Sequence, residues 1–207
     1  MSARLVIVGA GGFARETTEI ARRAYPGLAL AFVDDAPSHD ALRLMAGHGA
    51  TSLGTLDAWV PDPHDTCVIA IGDPAARASI AACLADRGAR FAVLVHPDAT
   101  VADSAVLEPG VVIAPGARVS ADVILGSHVH VDQNATIGHD TRVGACARLN
   151  PAACISGNVS IGERAYIGAA AVVLQGLVVG DGSTVGAGAV VVRDTPQDTV
   201  VKGVPAR

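Results

Sequence analysis

The sequence predicts an α/β half-Rossmann unit followed by an all-β parallel β-helix, and three observations carry that prediction. From Val101 to Pro196 the chain reads in sixes (VADSAV, LEPGVV, IAPGAR and on to VGAGAV and VVRDTP), and all sixteen blocks open with Val, Leu or Ile. A period of six fits neither a helix nor simple strand alternation; it marks a coil whose short sides stack to bury an aliphatic column. Half of the 207 residues are apolar yet only 3% are aromatic, so the interior must be built from Val, Ile, Leu and Ala, as a narrow coil requires. Finally, the apolar run Arg4 to Ala10 (RLVIVGA) ends in glycine and enters Gly9-Ala10-Gly11-Gly12-Phe13-Ala14, a strand that turns on glycines into a helix.

Taken in order, that first strand is followed by a helix over Arg15 to Ala24 and a second strand over Leu28 to Val33 that ends at Asp34-Asp35. Glycines at such a turn let backbone N–H groups approach an anion at a helix N-terminus, and an acid about twenty residues on meets a ribose hydroxyl in dinucleotide-binding units. The same turn also serves simply to pack a helix against a strand, and a redox nicotinamide site is a third reading. From Ala36 to Pro63 the chain turns polar and loop-like around a short helix near Thr55 to Val60, with His39, His48 and His64 expected on a solvated surface. A strand over Val68 to Gly72, a helix over Pro74 to Arg87 and a strand over Phe91 to Val95 complete half of a doubled nucleotide fold, without the half that holds a nicotinamide ring. His96-Pro97 breaks the pattern. The expected domains are therefore residues 1–97, a β-helix over 98–196, and a tail over 197–207 that caps its open end.

Composition excludes several classes. The net charge is −5 and no Lys/Arg run occurs, which argues against nucleic-acid binding. No apolar run reaches the roughly 18 residues of a membrane span, and the N-terminus has no signal-peptide layout, so a cytoplasmic protein without membrane insertion is expected. Cys67, Cys83, Cys146 and Cys154 show no CxxC spacing and are read as buried free thiols.

The register also aims side chains. Three hexads per coil place residues eighteen apart above one another at about the 4.8 Å strand spacing, giving about five coils. First-position aliphatics point inward, so third and fourth positions point out. His139 and Asp140 hold those two places in IGHDTR, stacked between Ala121-Asp122 and Gly157-Asn158.

The hexads, the His139-Asp140 pair and the tail VVKGVPAR resemble the left-handed β-helix (hexapeptide-repeat) acyltransferases, which move an acyl group from coenzyme A. GAGGFARE and FVDD narrow the resemblance to the sialic acid O-acetyltransferase and nucleotide-aminosugar N-acetyltransferase family. It implies a homotrimer with active sites between neighbouring β-helices, His139 as catalytic base followed by Asp140, and acetyl-CoA as co-substrate with no metal. It further implies a nucleotide-sugar against Gly11, Gly12, Phe13, Asp34, Asp35 and Gly72, and coenzyme A near Arg148, Gly157, Ala169, Ala187 and Lys202. Two departures stand out: Asp132 where members commonly have Asn, and Arg148 where some carry a second histidine.

The residue types suit that chemistry. A sugar amine attacking a thioester must shed a proton, which an imidazole can take near neutral pH, and Asp140 can orient the ring. The developing oxyanion needs a donor, expected to be a backbone N–H of a neighbouring coil. Direct attack is expected because no Ser or Cys adjoins His139. The leading expectation is thus an N-acetyltransferase acting on a nucleotide-linked amino-dideoxy sugar for a surface glycan. Alternatives are a sialic acid or sugar O-acetyltransferase, a non-catalytic trimeric scaffold, and a zinc-dependent hydratase like the β-helical carbonic anhydrases, using His128, His130 and His139.

Overall fold

The computed structural model describes residues 3–207, and the chain divides between Leu94 and Val95 into two compact units. In the first unit, β1 (Arg4–Val8), β2 (Ala29–Val33), β3 (Ala50–Ser52) and β4 (Thr66–Ile69) make one parallel sheet in the order β3-β2-β1-β4. That is the half-fold order expected when successive strands are wound outward and the chain then returns to the other side of β1. Val6, Val8, Ala31, Val33, Cys67 and Ile69 bury one core layer of this unit.

The helices are α1 (Gly12–Ala24), α2 (His39–Gly47) and α3 (Pro74–Asp86). Helix α1 starts at Gly12, three residues before the expected Arg15. Its buried Thr17 and Thr18 satisfy their hydroxyls on the carbonyls of Phe13 (2.8 Å) and Ala14 (2.7 Å), so two polar residues can face the core. Helix α3 opens on Pro74, with the Asp73 carboxylate accepting from the Ala76 N–H at 2.7 Å, a cap and a first residue both suited to a helix start.

Two expectations for this unit are corrected. The segment from Ala36 to Pro63 is not loop-like around a helix at Thr55 to Val60: it holds α2, capped by Ser38 on the Ala41 N–H, and the edge strand β3. Helix α2 buries only Met45, too narrow an apolar stripe to read as periodic. The strand expected over Phe91 to Val95 shrinks to a bridge between Phe91 and Cys67 and a two-residue strand, Leu94–Val95.

The second unit is a left-handed parallel β-helix. Its strands are two residues long, the sixth of one hexad and the first of the next, and they stack eighteen apart into three sheets, as in Ile124↔Arg142, His130↔Arg148 and Thr136↔Cys154. We call the faces carrying these pairs the first, second and third. First-position residues from Ile113 to Val191 are all buried, and the fifth positions beside them are mostly Ala, Val or Thr. A Cβ on Gly138, at a second position, would lie 2.5 Å from the Gly157 nitrogen of the next coil, which explains why that place is kept small.

Every fourth position from Gly110 to Gly188 has φ between 55 and 82°. This left-handed conformation turns each corner and pushes the third residue outward. Two fourth-position side chains, His128 and Cys146, are nonetheless buried; the His128 ring lies over Gly110, where no Cβ interferes. The tail extends the ladder instead of only closing it: Val200–Val201 pairs in parallel with Thr184–Val185, and Ala206 N–H donates to Val190 at 2.8 Å.

Candidate active site

His139 stands on the corner that follows the third face, its side chain 69% exposed. Its Nδ1 is 2.7 Å from Oδ2 of Asp140, a contact that fixes the ring and leaves Nε2 pointing away from the carboxylate. Nε2 lies over Gly157 of the next coil: a Cβ there would approach it to 2.7 Å. The Asn158 N–H donates to the His139 carbonyl at 2.7 Å, while among the described residues the Gly157 N–H donates to no acceptor. One corner thus presents an oriented imidazole nitrogen beside an unengaged backbone donor.

The remaining β-helix residues singled out above lie on a different corner. Ala169 and Ala187 are exposed third-position residues after the second face, joined by the Gly188 N–H donating to the Ala169 carbonyl at 2.8 Å. Lys202 is stacked against Gly186 at the same corner. Here, too, the two departures from the family pattern meet. Arg148 Nε and Nη2 donate to one oxygen of Asp132 at 3.0 and 2.8 Å, and the side chains are 15% and 2% exposed. Sequence reasoning set Arg148 against coenzyme A and missed this ion pair.

In the first unit the glycine turn is held by Asp34, whose carboxylate accepts from the Ala10 N–H at 2.8 Å and the Ala36 N–H at 3.0 Å. Asp35 accepts from the Leu56 N–H at 2.7 Å. Gly9 is demanded by packing, with φ +115° and a Cβ that would sit 3.1 Å from the Ala70 carbonyl. Gly11 and Gly12 are not, for a Cβ at Gly11 meets nothing within 4 Å and one at Gly12 only the flexible end of Arg15. Beside the turn lies a cavity of about 290 Å³ lined by Val8, Val33, Asp34, Asp35, Leu56 and Ile71, among others. Gly72 follows Ile71 in the chain; Phe13 follows the helix start.

Comparison with known proteins decides the family. The PglD N-terminal domain family matches residues 4–84, and the six-repeat bacterial transferase hexapeptide family matches residues 158–193. No curated protein matches the chain. Among solved structures, a histidine variant of perosamine N-acetyltransferase from Caulobacter crescentus, in complex with CoA and GDP-perosamine, is 34% identical over 99% of this chain and 95% of its own, with a TM-score of 0.90. The acetyltransferase domain of PglB from Neisseria gonorrhoeae, in complex with acetyl coenzyme A, is 35% identical over 100% and 99%, with a TM-score of 0.89. WeeI from Acinetobacter baumannii is 28% identical over 100% and 99%, at the same TM-score of 0.89. The chain belongs to the hexapeptide-repeat nucleotide-aminosugar acetyltransferases.

For an acetyltransferase of this family the remaining titratable groups are informative. Cys67 and Cys146 are buried, and burial pushes the Cys67 thiol up to about 12. Cys83 and Cys154 are exposed, which corrects the expectation of four buried thiols; Cys154 occupies a sixth position, whose side chain points away from the column. His128 and His130 are buried at 7% and 0% exposure. Among the described residues no three His, Cys, Asp or Glu side chains converge as metal ligands, and no helix is long and apolar enough to cross a membrane.

Proposed function

We propose that this acetyltransferase moves the acetyl group of acetyl-CoA to the amine of a nucleotide-linked amino-dideoxy sugar, as a cytoplasmic homotrimer serving a surface glycan. The observation that carries the reading is the His139–Asp140 pair with Nε2 free beside the Gly157 N–H. Asp140 holds Nδ1, so Nε2 is the nitrogen that accepts the proton of the attacking amine. The new N–C bond forms as the C–S bond breaks, the Gly157 N–H faces the oxygen that gains charge, and His139 returns the proton to the leaving thiolate. Amine and thioester thus exchange the acetyl group directly, with no acyl-enzyme.

Support for the homotrimer comes from the split of the site. His139 and Gly157 stand on one corner of the coil; Ala169, Ala187 and Lys202 stand on another. Neighbouring copies related by a threefold axis would set one corner against the other. Support for the substrates comes from the relative crystallised with CoA and GDP-perosamine and from Gly11 and Gly12, whose lack of a side chain no packing requires.

The test follows free CoA thiol with acetyl-CoA and a panel of UDP-, GDP- and TDP-linked amino sugars, with sialic acid alongside. Turnover of an amino sugar far above sialic acid supports the reading. Turnover confined to sialic acid, or none at all, overturns it.

A further inference from the structure

Arg77 is fully buried, the largest such side chain among the described residues, and nothing in the mechanism uses it. It lies at the end of the first turn of α3, where the helix dipole disfavours a cation, and burial itself penalises the charge. A Leu or Met would fill the same space without either cost. The compensation lies in the guanidinium's partners: among its contacts, Nη1 donates to the carbonyl of Ile71 at 2.5 Å and of Gly72 at 3.3 Å. Charge-assisted bonds of this kind are roughly twice as strong as neutral ones, and here they reach back from the helix to the turn that precedes it.

That turn walls the nucleotide cavity. The Ile71 side chain lines the cavity with Asp34 and Asp35, and its Cδ1 reaches within 3.1 Å of where a Gly9 Cβ would be. Ala70, one residue earlier, ties the turn to β1 through its N–H on the Val8 carbonyl at 2.8 Å. The arginine therefore holds one wall of the pocket from behind, while Asp34 holds the opposite one.

We propose that Arg77 is a positioning residue for the nucleotide pocket: it fixes the Ile71-Gly72 turn so that Ile71 closes against Gly9 and the cavity is formed before the nucleotide arrives. The inference rests on the nucleotide-sugar reading above. Pre-forming the wall lowers the ordering cost of binding, so its loss shows in nucleotide affinity and not in the use of acetyl-CoA.

The test titrates UDP, GDP and TDP calorimetrically into the wild type, Arg77→Lys and Arg77→Met, with KM measured for both substrates and amide exchange followed at Ala70, Ala76 and Arg77. Arg77→Met is expected to lose affinity for the bound nucleotide by about tenfold or more, with KM for acetyl-CoA within about twofold of wild type, and Arg77→Lys is expected to recover part of the loss. Unchanged nucleotide affinity, or an equal rise in both KM values, overturns the proposal. If Arg77→Met does not fold, Arg77→Lys decides: faster exchange at Ala70 with weaker nucleotide binding supports it, and wild-type values for both overturn it. If the wild type binds none of UDP, GDP and TDP, the nucleotide-sugar reading fails and takes the pocket role of Arg77 with it.

Discussion

Replacing Arg148 by Met tests whether Asp132 and Arg148 act as one unit. The Asp132 carboxylate is 2% exposed and receives two N–H groups from Arg148 through a single oxygen. Removing Arg148 takes two charge-assisted bonds from a buried carboxylate, at a cost of about 3–5 kcal/mol. Asp132→Asn is milder, about 1–2 kcal/mol, because the amide oxygen still accepts and Arg148, at 15% exposure, can turn to water. The double variant Asp132→Asn/Arg148→Met removes both charges, and we expect it to sit about 2–3 kcal/mol above the sum of the singles. In a chain of this size each kcal/mol moves the melting temperature by about 2–4 °C, so Arg148→Met should melt about 10 °C low and the double variant should regain much of that. Differential scanning calorimetry of all four proteins makes the measurement. Additivity within about 0.5 kcal/mol would refute the coupling.

Other outcomes follow from the same geometry. Gly157→Ala places a methyl 2.7 Å from the present position of His139 Nε2; because the ring is exposed it can swing aside, so kcat should fall by about tenfold or more with little change in melting, and an unchanged kcat would contradict the placement of the ring. Exposed Cys83 should react with a thiol reagent in the native protein, whereas buried Cys67 should react only on unfolding. Burial raises the Cys67 pKa to about 12, so the folded state keeps its proton at pH 9–10 where an unfolded thiol ionises, and the contribution of this group to stability is lost as pH rises above about 8.5. A Cys67→Ala variant should show a shallower alkaline loss of stability than wild type; an identical loss would rule that linkage out.

The β-helix was legible residue by residue because a six-residue period fixes direction as well as architecture. Ile137 and Val143 point in, His139 points out, and Gly157 sits where the count of eighteen puts it. The same count predicts sheet partners but not diagonal ones, so the bond between Asp132 and Arg148, sixteen residues apart, lay outside its reach. In the first unit the strands were readable from their apolar runs, whereas α2 was hidden because a single buried residue, Met45, anchors it. Arg77 was invisible for a related reason: an arginine in an alanine-rich helix reads as a solvated charge until the carbonyls that receive it are in view.

The central claim is that His139, held by Asp140, is the base. It is tested most directly by turnover of the preferred nucleotide-linked amino sugar by His139→Ala, with melting temperature and acetyl-CoA binding measured on the same preparation. The account predicts a fall of about a hundredfold or more in a protein that melts and binds acetyl-CoA as the wild type does. Near-normal turnover in that folded, acetyl-CoA-binding variant would contradict it.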